Sequence, residues 1–150
     1  MDKKLIDEQK EIFHLVIDDM MIKLGNLKIE SAIVLVKQGD HIDMDMRGND
    51  DDLREMIRDL TKHVKELTQQ EETRSKEGKP DDLDKVIFPI VMKAVFWLQE
   101  ICFRKVIIIL RKKDRETLRA YRGKVKDLSS MLEFLRREAP QRLLKQEGDD

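Results

Sequence analysis

The stretch AIVLVKQGDHIDMDMR, residues 32–47, constrains the fold more than any other part of this chain. Its first run, Ala32 to Val36, is rich in β-branched residues and too short for a typical helix, and Gln38-Gly39-Asp40 supplies a turn. In the second run Ile42, Met44 and Met46 alternate with His41, Asp43, Asp45 and Arg47, a period of two that buries one face and wets the other. The pattern predicts a β-hairpin. Two strands alone are marginal in water, so this hairpin needs a helix over its apolar face and further strands beside it. Residues 105–111 offer one source of those strands, and a second copy of the chain pairing edge to edge offers another.

Helices are predicted on both sides of the hairpin. Leu5, Ile6, Ile12, Phe13, Val16, Ile17, Met20, Met21 and Leu24 recur about one helical turn apart, and Gly25-Asn26 supplies residues that tolerate a left-handed end. After the hairpin, Asn49 is placed to cap a helix whose first turn holds Asp50, Asp51 and Asp52, acids that favour the positive helix end. Leu53, Met56, Ile57, Leu60, Val64 and Leu67 carry that helix to about residue 70. Residues 1–70 thus form an αββα half, and the polar stretch at 71–82, ending in Gly78 and Pro80, is an exposed linker.

The second half, residues 83–140, is expected to be helical. Its most apolar stretch, 83–111, is interrupted by Lys93, Gln99, Glu100, Arg104 and Lys105, too often for a membrane span of about 20 residues. Val106 to Leu110 fits either a strand or the end of a helix, and the unbroken apolar run favours a helix carried through it. Asp114 is placed to cap a last helix, along which Leu118, Tyr121, Val125, Leu128, Leu132 and Leu135 follow at steps of three and four. That spacing is a heptad seam, stopped by Pro140. Residues 141–150 read as a frayed tail, and no internal repeat stands out. The fold class is α+β, predominantly helical, with long C-terminal helices, and the whole can form one compact domain.

Charge is unevenly spread. Residues 1–75 hold 12 basic and 18 acidic side chains, a net of −6, and residues 76–150 hold 18 and 13, a net of +5. Opposite poles attract a partner, another copy of the chain, or each other. A single cysteine, Cys102, rules out an intramolecular disulfide and a cysteine-based zinc site. With acids where a signal peptide has its apolar run, the chain reads as cytoplasmic.

Catalytic patterns are weak. Read as a calcium loop from Asp43, the acidic stretch puts Arg47 where an oxygen ligand belongs and Arg54 where the twelfth position needs glutamate. His41, Asp43 and Asp45 share one strand face and invite a transition-metal reading, but a solvated face beside a capped helix explains them better. Cys102, between Ile101 and Phe103, is expected to be buried and inert. Glycines occur singly, so no phosphate loop is formed. The reading is therefore of a non-enzymatic protein with no cofactor and no metal.

Two interaction readings follow. The first is self-association, as a dimer, through the seam Leu118, Tyr121, Val125, Leu128, Leu132 and Leu135, through the hairpin edge, or both, in an adaptor, an assembly factor or an inhibitor of another protein. The second draws on residues 104–126, where ten basic side chains stand against two acidic ones. There Arg111, Lys112, Lys113, Arg115, Arg119, Arg122, Lys124 and Lys126 form a basic face suited to nucleic acid or an acidic partner, with Arg115, Arg119 and Arg122 on one helical side.

Overall fold

The structure, a computed structural model, describes residues 3–73, 85–112 and 116–144. Helix α1 (Lys3–Gly25) leads into strands β1 (Ile29–Gln38) and β2 (His41–Arg47) and helix α2 (Asp50–Thr73). Helix α3 (Ile87–Glu100), strands β3 (Lys105–Lys112) and β4 (Thr117–Arg122), helix α4 (Val125–Glu138) and the single turn α5 (Gln141–Leu144) follow. All four strands join one antiparallel sheet in the order β2-β1-β3-β4. Helices α1 and α3 cover one face and α2 and α4 the other.

Strand composition follows position in this sheet. Residues 32–36 of β1 and 106–110 of β3 lie in the middle, pressed by helices on both faces, and each run is wholly buried. Such strands read as unbroken apolar runs. At the edges, alternation survives. Ile42, Met44 and Met46 of β2 pack toward α2 and α4, and His41, Asp43, Asp45 and Arg47 point toward α1. On β4, Leu118 and Ala120 pack toward α1 and α3.

The hairpin, α1 and the Asn49 cap form where their sequence patterns place them, but the β2 face expected to be solvated is covered by α1: Asp43 and Asp45 are buried, while Ile42, Met44 and Met46 are half-buried. Asn49 Oδ1 accepts the Asp52 amide at 2.8 Å, satisfying one otherwise unpaired donor of the helix start. The second half differs. It is not a run of long helices: Val106–Leu110 is a strand, so the sheet of the first half is completed from within the same chain. Its run of Val and Ile lies beyond the end of α3 and finds a partner in β1. The left-handed residue after α1 is Lys28 (φ 64°) rather than Gly25 or Asn26, and Cys102 (φ 78°) occupies the matching place after α3. Cys102 is exposed, since α3 ends at Glu100 before it. Most of the expected linker, the proposed Asp114 cap and residues 145–150 lie outside the described residues.

The chain is an αββα unit followed by a second αββα unit, related by a local two-fold axis through the central pair Val34 and Ile108. On α1, the buried Phe13, Ile17, Met20 and Leu24 correspond to Ile87, Val91, Ala94 and Leu98 on α3, 74 positions later. Beyond the hairpins the offset is 75, because the second turn is one residue longer. There Arg47, Gly48, Asp52, Leu53, Met56 and Leu60 correspond to Arg122, Gly123, Asp127, Leu128, Met131 and Leu135, six identities in fourteen positions. The sequence does carry an internal repeat, with its identities concentrated in the turn after each hairpin and the helix that follows, and isolated ones elsewhere at Leu24/Leu98 and Ile33/Ile107.

Candidate interaction surfaces

His41, Asp43 and Asp45, the candidate metal ligands, meet α1. Its residues Lys10, His14 and Asp18 lie one turn apart and look down on β2. His14 Nδ1 lies 2.7 Å from Asp45 Oδ2, and His41 Nε2 lies 3.0 Å from Asp43 Oδ2. Arg47 spans both elements, donating from Nε to Asp45 Oδ1 at 2.6 Å and from Nη2 to Asp18 Oδ1 at 2.7 Å. Asp43 and Asp45 are buried, and the chain's own cations supply their counter-charge. Burial pushes the Asp45 carboxyl up, but hydrogen bonds from Arg47 and His14 outweigh it and hold the group below its ordinary range. Asp45 in turn raises the Arg47 guanidinium further above its ordinary value. Among the described residues, no group of three or more His, Cys, Asp or Glu side chains is placed to hold a metal ion.

The candidate basic face is dispersed. Arg111 lies on the α2 side of the sheet, with Nε 3.9 Å from Asp52 and Nη1 donating to Thr117 at 2.8 Å. Arg119 reaches Asp59 of α2 at 3.5 Å. Arg122 projects from the opposite face, with Nη2 2.9 Å from the Met92 sulfur of α3. A helix would have aligned Arg119 with Arg122; a strand sends residues three apart to opposite sides. Lys112 Nζ pairs with Glu116 at 3.5 Å, and Lys124 and Lys126 are exposed at the start of α4. Lys113 and Arg115 lie outside the described residues.

The seam is divided in the same way. Leu118 and Tyr121 belong to β4, and Val125, Leu128, Leu132 and Leu135 to α4, with Gly123 turning the chain between them. Leu128 and Leu135 are buried within the chain against α2, and Val125 and Leu132 pack around them. Tyr121 stacks on His63 with ring centroids 5.4 Å apart. These residues serve the intramolecular core.

A different surface stands out. The large hydrophobic side chains exposed among the described residues are Ile12, Leu15, Ile22, Val86, Phe88, Phe96 and Trp97. Every one lies on or beside α1 or α3, and none on α2 or α4. Leu15 is 60%, Ile22 71%, Phe96 55% and Trp97 49% exposed. Between the two helices runs a groove of about 230 Å³, walled by Ile12, Leu15, Val16, Ile90 and Trp97, with Asp19 and Lys93 also at its lining. Phe96 meets Trp97 edge-on with centroids 5.8 Å apart. Several faces of α1 are apolar, so the amphipathic stripe marked this surface in the sequence only as excess width.

No helix among the described residues is long and apolar enough to cross a membrane. No family model matches the chain, and searches of curated proteins and of solved structures give no match either.

Proposed function

We propose that this chain is a non-enzymatic, cytoplasmic interaction protein that works as a homodimer joined through its α1/α3 face. The observation that carries the reading is the concentration of exposed large apolar side chains on that one helical layer. Apolar patches rimmed by polar groups mark interaction sites. A second copy is the occupant that fits best, because the groove carries both signs of charge, Asp19 on α1 and Lys93 on α3. In the proposed dimer each is set against its opposite on the partner, beside the Lys23–Asp19 pair that α1 forms within itself at 3.0 Å. Trp97 and Phe96 supply the aromatic anchors that concentrate binding energy at interfaces. Within such a dimer the protein serves as an adaptor, an assembly factor or an inhibitor of another protein.

His14 and His41 are held by Asp45 and Asp43, and His63 is stacked on Tyr121. Nucleic-acid binding through residues 104–126 has weaker support, because Arg111 and Arg119 lie against Asp52 and Asp59. Sedimentation of Leu15→Lys and Trp97→Lys variants tests the surface. Both positions are exposed, so the fold is retained, and each variant is expected to sediment as a monomer; a dimer in both would point to another surface.

A further inference from the structure

The outer side of α2 carries a row of cations that the sequence reading passed over. Arg54, Arg58, Lys62 and Lys65, at steps of four, four and three, share one side of the helix. With Arg136 from the last turn of α4 they line a cleft of about 310 Å³, floored in part by Ile57 and Leu143. None of its lining residues is acidic.

Among the described residues, neutralisation of this row is partial. Arg54 Nη1 donates to Asp51 at 2.9 Å, but Asp51 is 91% exposed, and Arg54 Nε is buried with no hydrogen-bond partner. Arg58 lies 3.6 Å from Glu55 in a pair half open to solvent. Exposed pairs of this kind contribute little. Lys62, Lys65 and Arg136 have no ion-pair partner among the described residues.

The internal repeat provides a control that the molecule carries itself. At the matching positions stand Ser129, Glu133 and Arg137 of α4, and Pro140 just beyond its end. The row of cations is therefore not a feature that the two units share. Its appearance on α2 alone, beside a cleft, calls for a ligand.

We infer that this cleft binds an oligophosphate, the charged chain shared by inorganic polyphosphate and nucleoside triphosphates. Guanidinium forks and ammonium groups at one-turn intervals suit successive phosphoryl groups. The ligand bridges α2 and the end of α4, on the opposite side of the sheet from the apolar α1/α3 face, so this inference does not rest on the proposed dimer.

Calorimetric titration with inorganic tripolyphosphate at low and moderate salt tests it. The wild-type chain is expected to bind one equivalent, more weakly as salt rises. Arg58→Gln with Lys62→Gln, and Arg136→Gln alone, should each weaken binding about tenfold or more, from the loss of charge-assisted hydrogen bonds. All three side chains are exposed, so unchanged melting temperatures will show that the fold persists. Lys124→Gln with Lys126→Gln removes two exposed cations elsewhere and should leave affinity unchanged. A parallel titration with a nucleoside triphosphate separates the sources: equal affinity identifies the phosphate chain as the whole ligand, and tighter binding identifies a nucleotide. No saturable binding at low salt overturns the inference, as does an equal loss in the Lys124/Lys126 control. Binding of a short single-stranded oligonucleotide without tripolyphosphate binding also overturns it, in favour of diffuse backbone contact.

Discussion

Lys37 Nζ donates to Asp127 Oδ1 at 3.2 Å, across 90 positions of sequence. The contact joins the central strand of the first unit to the last long helix of the second. Its mate under the two-fold axis is Arg111 of β3 beside Asp52 of α2, at 3.9 Å. Each unit thus extends a cation from its inner strand to the acid in the first turn of the other unit's second helix. Lys37 and Asp127 are 16% and 11% exposed, and Arg111 and Asp52 10% and 32%, so the first contact is shorter and its carboxylate better shielded. Replacing Asp127 with Asn is expected to destabilise the protein by about 2 kcal/mol, the worth of a hydrogen bond to a charged group. Asp52→Asn should cost about half as much. Urea denaturation of the two variants checks the order.

Acid dependence follows from the same carboxylate. Burial pushes Asp127 up, but the Lys37 hydrogen bond, the Lys124 amide and the Lys105 charge outweigh it, leaving the group below its ordinary range. A depressed carboxylate contributes stability above its unfolded value of about 4 and loses it as pH falls through the folded value. The gap in melting temperature between wild type and Asp127→Asn should therefore hold steady above about pH 5 and narrow below about pH 4. A gap that widens in acid would refute this assignment.

Two glycines at matching places should respond unequally. Gly48 and Gly123 both adopt positive φ, 124° and 133°. A Cβ on Gly48 would stand 2.3 Å from Ser31 Oγ and 3.0 Å from Ser31 Cα, on a central strand that cannot retreat. On Gly123 the closest atom would be Cδ of the flexible Lys105 side chain, at 3.3 Å, with Asp127 Cβ at an ordinary 3.7 Å. Backbone strain costs about 1–3 kcal/mol in each case, and overpacking adds a similar amount at residue 48 alone. Thermal melts of Gly48→Ala and Gly123→Ala should differ accordingly.

Lys28 and Cys102 hold left-handed conformations at the ends of α1 and α3, where glycine is usual. Lys28→Gly and Cys102→Gly should each stabilise the fold by up to about 1 kcal/mol, since relief of the side-chain clash exceeds the entropy cost of glycine. Chemical denaturation will read the change.

The hairpin was legible from the alternation of Ile42, Met44 and Met46, but the burial of the other face was not: Asp43 and Asp45 are covered by α1 and held by its Lys10 and His14, contacts that local spacing does not show. The strand at Val106–Leu110 was not legible, because a strand covered on both faces has no alternation and resembles the helix before it. The apparent seam arose where Leu118 and Tyr121, three apart on a strand, happen to continue into the true helical spacing of Val125 to Leu135. Pairings such as Lys37–Asp127 depend on which strands become neighbours, and local spacing is silent on that. The repeat was legible in principle, from Arg-Gly at 47–48 and 122–123 followed by Asp-Leu, Met and Leu at equal intervals. Its signal is diluted because α1 and α3 match mainly in burial pattern, with Leu24 and Leu98 alike.

The most direct test of the α1/α3 interface is the mass of the purified chain by light scattering at micromolar concentration. Twice the chain mass is predicted for the wild type, falling to one chain mass when Leu15 and Trp97 are both replaced by lysine. A wild-type protein of single-chain mass, or a dimer that survives both substitutions, would contradict the account.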